Sequence, residues 1–238
     1  MLIFQSRPVM GTGYRPVRGY NLNYEGDGDL SETLFVQWEP KSGPSPKGQR
    51  WPPAAPDFRT QCLDYYDAAL TLRDQISVLF ALAIEQPEDF LKEKEHISRM
   101  RFIHYPEGAQ AGNGMGAHTD PGIFTILYQQ PGSKGLQVLT PENEWIDVPA
   151  VPGHLIVHFG DQMGCLTNDV FRSPLHRVVT QPGTERYSIA MFSYVDVNVA
   201  FGPLAQFVSA ARPAKYETVV PQDEYKKLET RYLRDSKL

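Results

Sequence analysis

His118-Thr119-Asp120 sets an imidazole and a carboxylate two positions apart, at the end of a glycine-rich approach from Gly112 to Gly116. On an extended chain a two-residue offset turns both side chains to the same face, so the two groups converge. A third ligand from a separate strand would leave about half an octahedron open, the facial arrangement suited to non-haem iron(II). His176 is the candidate for that position. Because an isolated His-x-Asp recurs by chance, the residues around it must decide whether a metal is held.

Arg186 and Ser188 carry that decision. They alternate onto one face of the apolar run after Pro182-Gly183, a type II turn expected to fold that run back as a hairpin beside the strand of His176. A guanidinium grips a carboxylate through two parallel charge-assisted hydrogen bonds, and a neighbouring hydroxyl adds a third donor. Tyr105 offers a further phenolic donor. The remaining histidines, His96, His104 and His154, complete no second metal site, and Asp161 and Asn168 are expected to shape turns.

The chain that must position these groups has 238 residues, 41% of them hydrophobic, enough for one sizeable core and short of two. The expected layout is a single domain over 1–238: loop-rich over 1–56, helical over 57–98, β-rich with the metal site over 99–200, and a C-terminal extension over 201–238. Residues 1 to about 36 show no sustained period, and Pro40, Pro44, Pro46, Pro52, Pro53 and Pro56 break up the next stretch, so this region reads as loop. From Asp57, an expected N-cap, residues Phe58, Cys62, Tyr66, Ala69, Leu70, Ile76, Leu79, Phe80 and Ala83 recur at three- and four-residue steps. That predicts one amphipathic helix ending near Gln86, before Pro87. Short apolar runs at 101–105, 123–128, 136–139, 145–148, 154–159, 175–180 and 186–195, cut by turn residues, predict an all-β sandwich or barrel. A final helix is predicted from Pro221.

No run approaches the roughly eighteen apolar residues of a membrane span, and none forms a signal-peptide core. The two cysteines, Cys62 and Cys165, fit reduced thiols of a cytoplasmic protein better than a disulfide framework. The net charge of −5 is spread without the Lys/Arg cluster that nucleic acid or an anionic membrane requires. These features favour a small-molecule partner and leave the oligomeric state open.

Along nearly its whole length the chain resembles the isopenicillin N synthase-like branch of the iron(II)/2-oxoglutarate-dependent dioxygenases. Met100-Arg-Phe-Ile-His-Tyr-Pro106 is similar to the family's strand ending in Tyr-Pro, and Gly116-Ala-His-Thr-Asp-Pro-Gly122 to its first metal motif. Gly135-Leu-Gln-Val138 and Trp145-Ile-Asp-Val-Pro149 come next, in the family's order. Then Gly160-Asp161, Thr167-Asn168, Arg172-Ser173 and His176-Arg-Val178 lead to Arg186-Tyr-Ser188, which resembles the family's R-x-S. The Gln49-Arg-Trp-Pro52 loop and the long helix also have counterparts.

The resemblance implies a mainly β fold, a double-stranded β-helix or distorted jelly roll, with the long helix packed outside it. It implies iron ligands His118, Asp120 and His176, and a 2-oxoglutarate site of Arg186, Ser188 and Tyr105. The cofactors would be Fe(2+), 2-oxoglutarate and O2, and the reaction the hydroxylation, desaturation or cyclisation of a small metabolite with release of succinate and CO2. The chain departs from the family's pattern in three places. Ile103 stands where an asparagine often helps hold the co-substrate; His158 replaces the usual asparagine before Gly160-Asp161 and is expected to pack against the next strand; and the chain begins in what resembles the middle of the family's N-terminal region. Two other readings therefore stay open: an oxidase that does not use 2-oxoglutarate, or a catalytically silent small-molecule binding protein. The substrate is expected to be mid-sized and partly apolar, lined by Phe124, Tyr128, Phe192 and Tyr194, with Arg101 meeting a carboxylate or phenolate at the mouth.

Overall fold

The structure, a computed structural model, describes residues 13–19, 28–42, 44, 45, 49, 51–107 and 112–221. Two antiparallel sheets face each other. The larger runs in the order β1 (Gly13–Arg15), β2 (Glu32–Gln37), β3 (Glu95–Tyr105), β10 (Arg186–Val195), β5 (Phe124–Gln129) and β8 (Ile156–Phe159). The smaller runs β4 (Gly112–His118), β9 (His176–Thr180), β6 (Leu136–Leu139) and β7 (Trp145–Asp147). From β3 onward the chain winds from one sheet to the other and back, which makes the fold a double-stranded β-helix.

Side-chain alternation divides the larger sheet into two faces. Its inner face contributes Ile103, Tyr105, Leu127 and Ala190 to a core closed from the other side by Met115, Leu136 and Val178 of the smaller sheet. Its outer face buries Val36, Met100, Phe124, Ile126 and Met191 in a second core that includes Tyr66 and Ala81 of α1 (Phe58–Ala83). The Tyr66 hydroxyl donates to the carbonyl of Ser98 at 2.6 Å and ties the helix to β3. The helix ends where Glu85 turns into the left-handed region (φ 56°), two residues before Pro87. Asp57 does not cap it through its side chain.

The strands predicted from 123 onward coincide with observed ones to within about two residues, and three expectations change. Part of the region read as loop forms β1 and β2, which extend the larger sheet beyond β3. The region read as helical to 98 yields to β3 at Glu95, after a short helix α2 (Phe90–Lys94). Pro182-Gly183 does turn the chain, with Gly183 at φ 71°, yet no hairpin results: β9 pairs with β4 and β6, while β10 pairs with β3 and β5. His176 and Arg186 therefore reach the interior from opposite sheets. The predicted C-terminal helix falls on 222–238, outside the described residues.

The same alternation moves two residues out of the expected substrate pocket. Phe124 is fully buried on the outer face, its ring 5.2 Å from that of Phe80 on α1, and Tyr128 lies on the same side of β5. Phe124→Ala should therefore behave as a core truncation, lowering stability by about 3–5 kcal/mol in urea unfolding. A loss below about 1 kcal/mol would mean that the ring is not a packing element of the outer core.

Candidate metal centre and anion pocket

β4 ends at His118, and its register partner on β9 is His176, so the two imidazoles lie side by side with ring centroids 4.2 Å apart. Asp120 sits just beyond the strand, 4% exposed. Its Oδ1 lies 3.6 Å from His118 Nε2 and 3.9 Å from His176 Nε2. One donor atom from each of the three residues falls within 4.8 Å of the other two. Both histidines turn Nδ1 to a backbone carbonyl, His118 to Gly116 at 2.7 Å and His176 to Pro174 at 3.1 Å. A carbonyl only accepts, so the ring proton resides on Nδ1 and Nε2 keeps its lone pair for a metal.

The electrostatics of His118 and Asp120 bear on which of them is charged. Burial, reinforced by the neighbouring His176, pushes the His118 imidazole down to about 3 and holds it neutral. For Asp120 burial works against ionisation, but His176, His158, His118 and the Thr125 hydroxyl together outweigh it and hold the carboxyl below its ordinary value. The donor set thus fits a divalent cation: two imidazoles that keep Nε2 open and one carboxylate, with donor atoms close together.

The backbone around Asp120 is clamped. Asp161 N–H donates to the Asp120 carbonyl at 2.7 Å, Gln162 N–H to Gly122 at 2.9 Å, and Gly160 N–H to Ile123 at 2.9 Å. A Cβ on Gly160 would collide with the Gly122 carbonyl, and one on Gly122 with the Ser193 carbonyl. Asp161 opens the short helix α3 (Asp161–Leu166), where burial raises its carboxyl to about 6 against the opposing hydrogen bond from Thr119. Asn168 shapes a turn as expected, at φ 50°, with its side chain bonded to Phe207, Pro213 and Lys215 backbone groups.

Arg186 lies on the inner face of β10, 4% exposed. It donates to the Ser188 hydroxyl at 3.2 Å and to Gln129 Oε1 at 2.8 Å, and it stacks 4.7 Å above the Tyr105 ring. Its Nε–H has no acceptor, and among the described residues no carboxylate pairs with it. Ser188, having accepted from Arg186, retains its own proton to donate. A buried guanidinium with a vacant donor and an adjacent hydroxyl fits a carboxylate. Tyr105 contributes as a ring beneath the guanidinium.

Of the other candidates, Phe192 and Tyr194 share the inner face of β10 with Arg186, their ring centroids 6.3 Å apart. Arg101 is also inward and 4% exposed, stacked 5.0 Å over Phe35 and 3.6 Å from the Met115 sulfur. His104 belongs to the outer surface, between Glu32 and Glu185, and the side chain of His96 is outside the described residues. Two residues here carry no assignment from sequence alone: Thr125, which donates to Asp120 Oδ2 at 2.5 Å, and Gln129. His158, expected to pack against the next strand, pairs with Thr125 of β5 and also brings its Nε2 to 3.4 Å from Asp120 Oδ2. Thr125 and Gln129 are the polar residues of an otherwise apolar strand, four positions apart and so on one face, which is the signal that marks them.

Comparison with known proteins agrees with this geometry. The model of the 2OG-Fe(II) oxygenase superfamily matches residues 94–194. The 2-oxoglutarate-Fe(II) type oxidoreductase hxnY of Emericella nidulans is 32% identical over 94% of this chain and 69% of its own length. Flavanone 3-dioxygenase 2 of Oryza sativa subsp. japonica is 33% identical over 77% of this chain and 54% of its own. The crystal structure of JOX2 with 2OG, Fe and JA superposes with a TM-score of 0.77 at 25% identity, covering 91% of this chain and 64% of that one. A jelly roll with two histidines and a carboxylate at its mouth defines the class as that of non-haem iron enzymes. The chain belongs to the 2OG-Fe(II) oxygenase superfamily. It spans between 48% and 69% of the length of the curated relatives it matches.

The clamp gives a direct test. Gly160→Ala should lower stability by at least about 1–3 kcal/mol through overpacking, since backbone and not a flexible side chain meets the new methyl. Thermal melting of the variant at wild-type temperature would show that the two segments can separate freely.

Proposed function

We propose that this chain oxidises a small-molecule metabolite, using iron(II) held by His118, Asp120 and His176 and 2-oxoglutarate held by Arg186, Ser188 and Tyr105. The observation that supports it most is the pairing of an inward-facing ligand triad with a buried, carboxylate-free arginine inside one β-helix. When bound, iron(II) and 2-oxoglutarate would supply the oxidising power, with succinate and CO2 as the co-substrate's products.

The chain's own residues perform positioning. Arg186 offers its vacant Nε–H and Ser188 its hydroxyl to the far carboxylate, and Gln129 holds the guanidinium in place from β5. Ser188, Ala190 and Leu127, between Arg186 and Thr125 by register, give the co-substrate a mostly apolar bed. Phe192 and Tyr194 are the proposed substrate walls, and Arg101 a cation for an acidic substrate group. Hydroxylation, desaturation and ring closure remain alternative outcomes of this chemistry. Among the described residues no helix is long and apolar enough to cross a membrane. Two free, buried thiols support reading the chain as one cytoplasmic domain.

A second reading rests on Ile103, the buried, apolar register partner of Ser188. It is an oxidase in which Arg186 grips a carboxylate of the substrate itself. Incubation of the iron-loaded protein with 2-oxoglutarate and a metabolite extract of its source separates the two. The first reading expects oxygen-dependent succinate together with products gaining one oxygen or losing two hydrogens; the second expects such products without succinate.

Removing a bidentate ion pair from a shielded pocket costs on the order of 3 kcal/mol, or roughly a hundredfold in affinity. Arg186→Ala should raise the 2-oxoglutarate requirement by about that factor, and Arg186→Lys by much less. Unchanged saturation in both variants would remove 2-oxoglutarate from this pocket.

A further inference from the structure

Gly114 lies in β4 where the ladder to β9 skips a residue: Asn113 pairs with Val179 and Met115 with Val178, so Gly114 is the extra residue of a bulge. A bulge bends its strand and re-aims the backbone beside it. This one is buried, and a Cβ built on Gly114 would fall 2.9 and 3.1 Å from Cδ1 and Cε1 of the Tyr105 ring and 2.8 Å from Cγ2 of Thr180. No methyl group fits there without displacing a neighbour. The three nearest atoms belong to Tyr105 and Thr180, none to a metal ligand.

The same Tyr105 ring carries the Arg186 guanidinium over its face, 4.7 Å from the ring centre. β3 and β10 pair Tyr105 directly with Arg186, so the two backbones keep a fixed spacing and only side-chain rotation can accommodate a displaced ring. Moving the ring edge away from β4 then changes its inclination or its distance beneath the guanidinium. We propose that Gly114 is a positioning residue of the carboxylate pocket: without a Cβ it lets the β4 backbone close on the edge of Tyr105 and hold that ring beneath Arg186. A guanidinium is planar, so the ring it stacks on sets the plane in which its vacant Nε–H points. The strand that ends at His118 thereby also orients the arginine that receives the far end of the co-substrate. The inference rests on the reading of Arg186 as the residue that binds the far carboxylate of 2-oxoglutarate.

The test is calorimetric titration of the manganese(II)-loaded full-length chain with 2-oxoglutarate, beside titration of the metal-free chain with manganese(II) alone; neither involves turnover. Gly114→Ala should weaken 2-oxoglutarate binding by about tenfold or more, the scale of a shielded cation–π contact, and leave manganese(II) affinity at the wild-type value. In a Tyr105→Leu background, where the methyl has room, Gly114→Ala should add almost nothing, so the two changes depart from additivity. Thr180→Ser removes the other methyl and keeps the hydroxyl that donates to the Gly112 carbonyl at 3.1 Å, and it should leave the Gly114→Ala loss in place. Wild-type 2-oxoglutarate affinity in Gly114→Ala would overturn the proposal, and so would recovery by Thr180→Ser or an equal loss of manganese(II) affinity. If Gly114→Ala alone fails to fold, the double variant with Tyr105→Leu should fold and bind 2-oxoglutarate as Tyr105→Leu does; a double variant that stays unfolded overturns the proposal as well. Arg186→Ala is the control: unchanged 2-oxoglutarate binding there means that the reading of Arg186 fails, whereas its loss beside an unaffected Gly114→Ala removes only the role of Gly114.

Discussion

Asp120 is held by backbone before it is held by anything else. The segment Asp120–Ile123 lies directly against Gly160–Gln162, joined by three amide hydrogen bonds at a separation that leaves no space for a Cβ on Gly160, while the Ser193 carbonyl of β10 closes off Gly122 from another side. This contact joins the loop that leaves the smaller sheet after His118 to the end of β8 in the larger one. It fixes where β5 begins, hence which face of β5 carries Thr125, and it sets His158 beside the carboxylate. Because peptide units rather than side chains make the contact, it has almost no rotamer freedom, and the ligand geometry inherits that rigidity.

The inner and outer faces of the larger sheet then divide the chemistry. Along β10, Arg186, Ser188, Ala190 and Phe192 face inward, while Tyr187 is exposed and Ile189 and Met191 pack beneath α1. A one-residue slip would exchange these sets, placing the arginine under the helix and Met191 opposite the metal position. The outer core under α1 opposes such a slip, since it buries Met100, Ile126 and Met191 as one continuous row across three strands. The helix thus contributes to the site without touching it.

This two-sided burial also explains what was legible in the sequence. The triad, the Arg-x-Ser pair and most strand limits can be read from motif spacing and turn residues, because turns need specific backbone conformations that few residues supply. Side-chain parity on β5 cannot. Phe124, Ile126 and Tyr128 point to the helix and Leu127 to the inner core, so apolar residues occupy both faces and the period-two contrast vanishes. β2 is hidden for the same reason, with Leu34 and Val36 outward and Thr33 and Phe35 inward. Pro182-Gly183 encodes a reversal, but a reversal does not name the strand that will pair next; here the chain crosses between sheets. His158 is the sharper case, since contact with Asp120 arises only after β8 docks on β5.

Arg186 shows how an anion site can be set up before any ligand arrives. Burying a guanidinium costs several kcal/mol of lost hydration, and its partners here are neutral: a hydroxyl, an amide oxygen and an aromatic face. They offset part of that cost and leave Nε–H unused. Gln129 is kept in the accepting orientation because its own amide group reaches the Val148 carbonyl, at 3.4 Å, so it cannot turn a competing N–H toward the arginine without losing that contact. Ser188 accepts from the guanidinium and so keeps a proton directed elsewhere. Every unfilled position in the pocket is thus a donor. A neutral guest would leave the buried charge as poorly compensated as before, whereas a carboxylate would supply both the missing charge and the missing acceptors. The preference of this pocket for an anion therefore resides in β5 and β10, independently of the cluster of His118, Asp120 and His176.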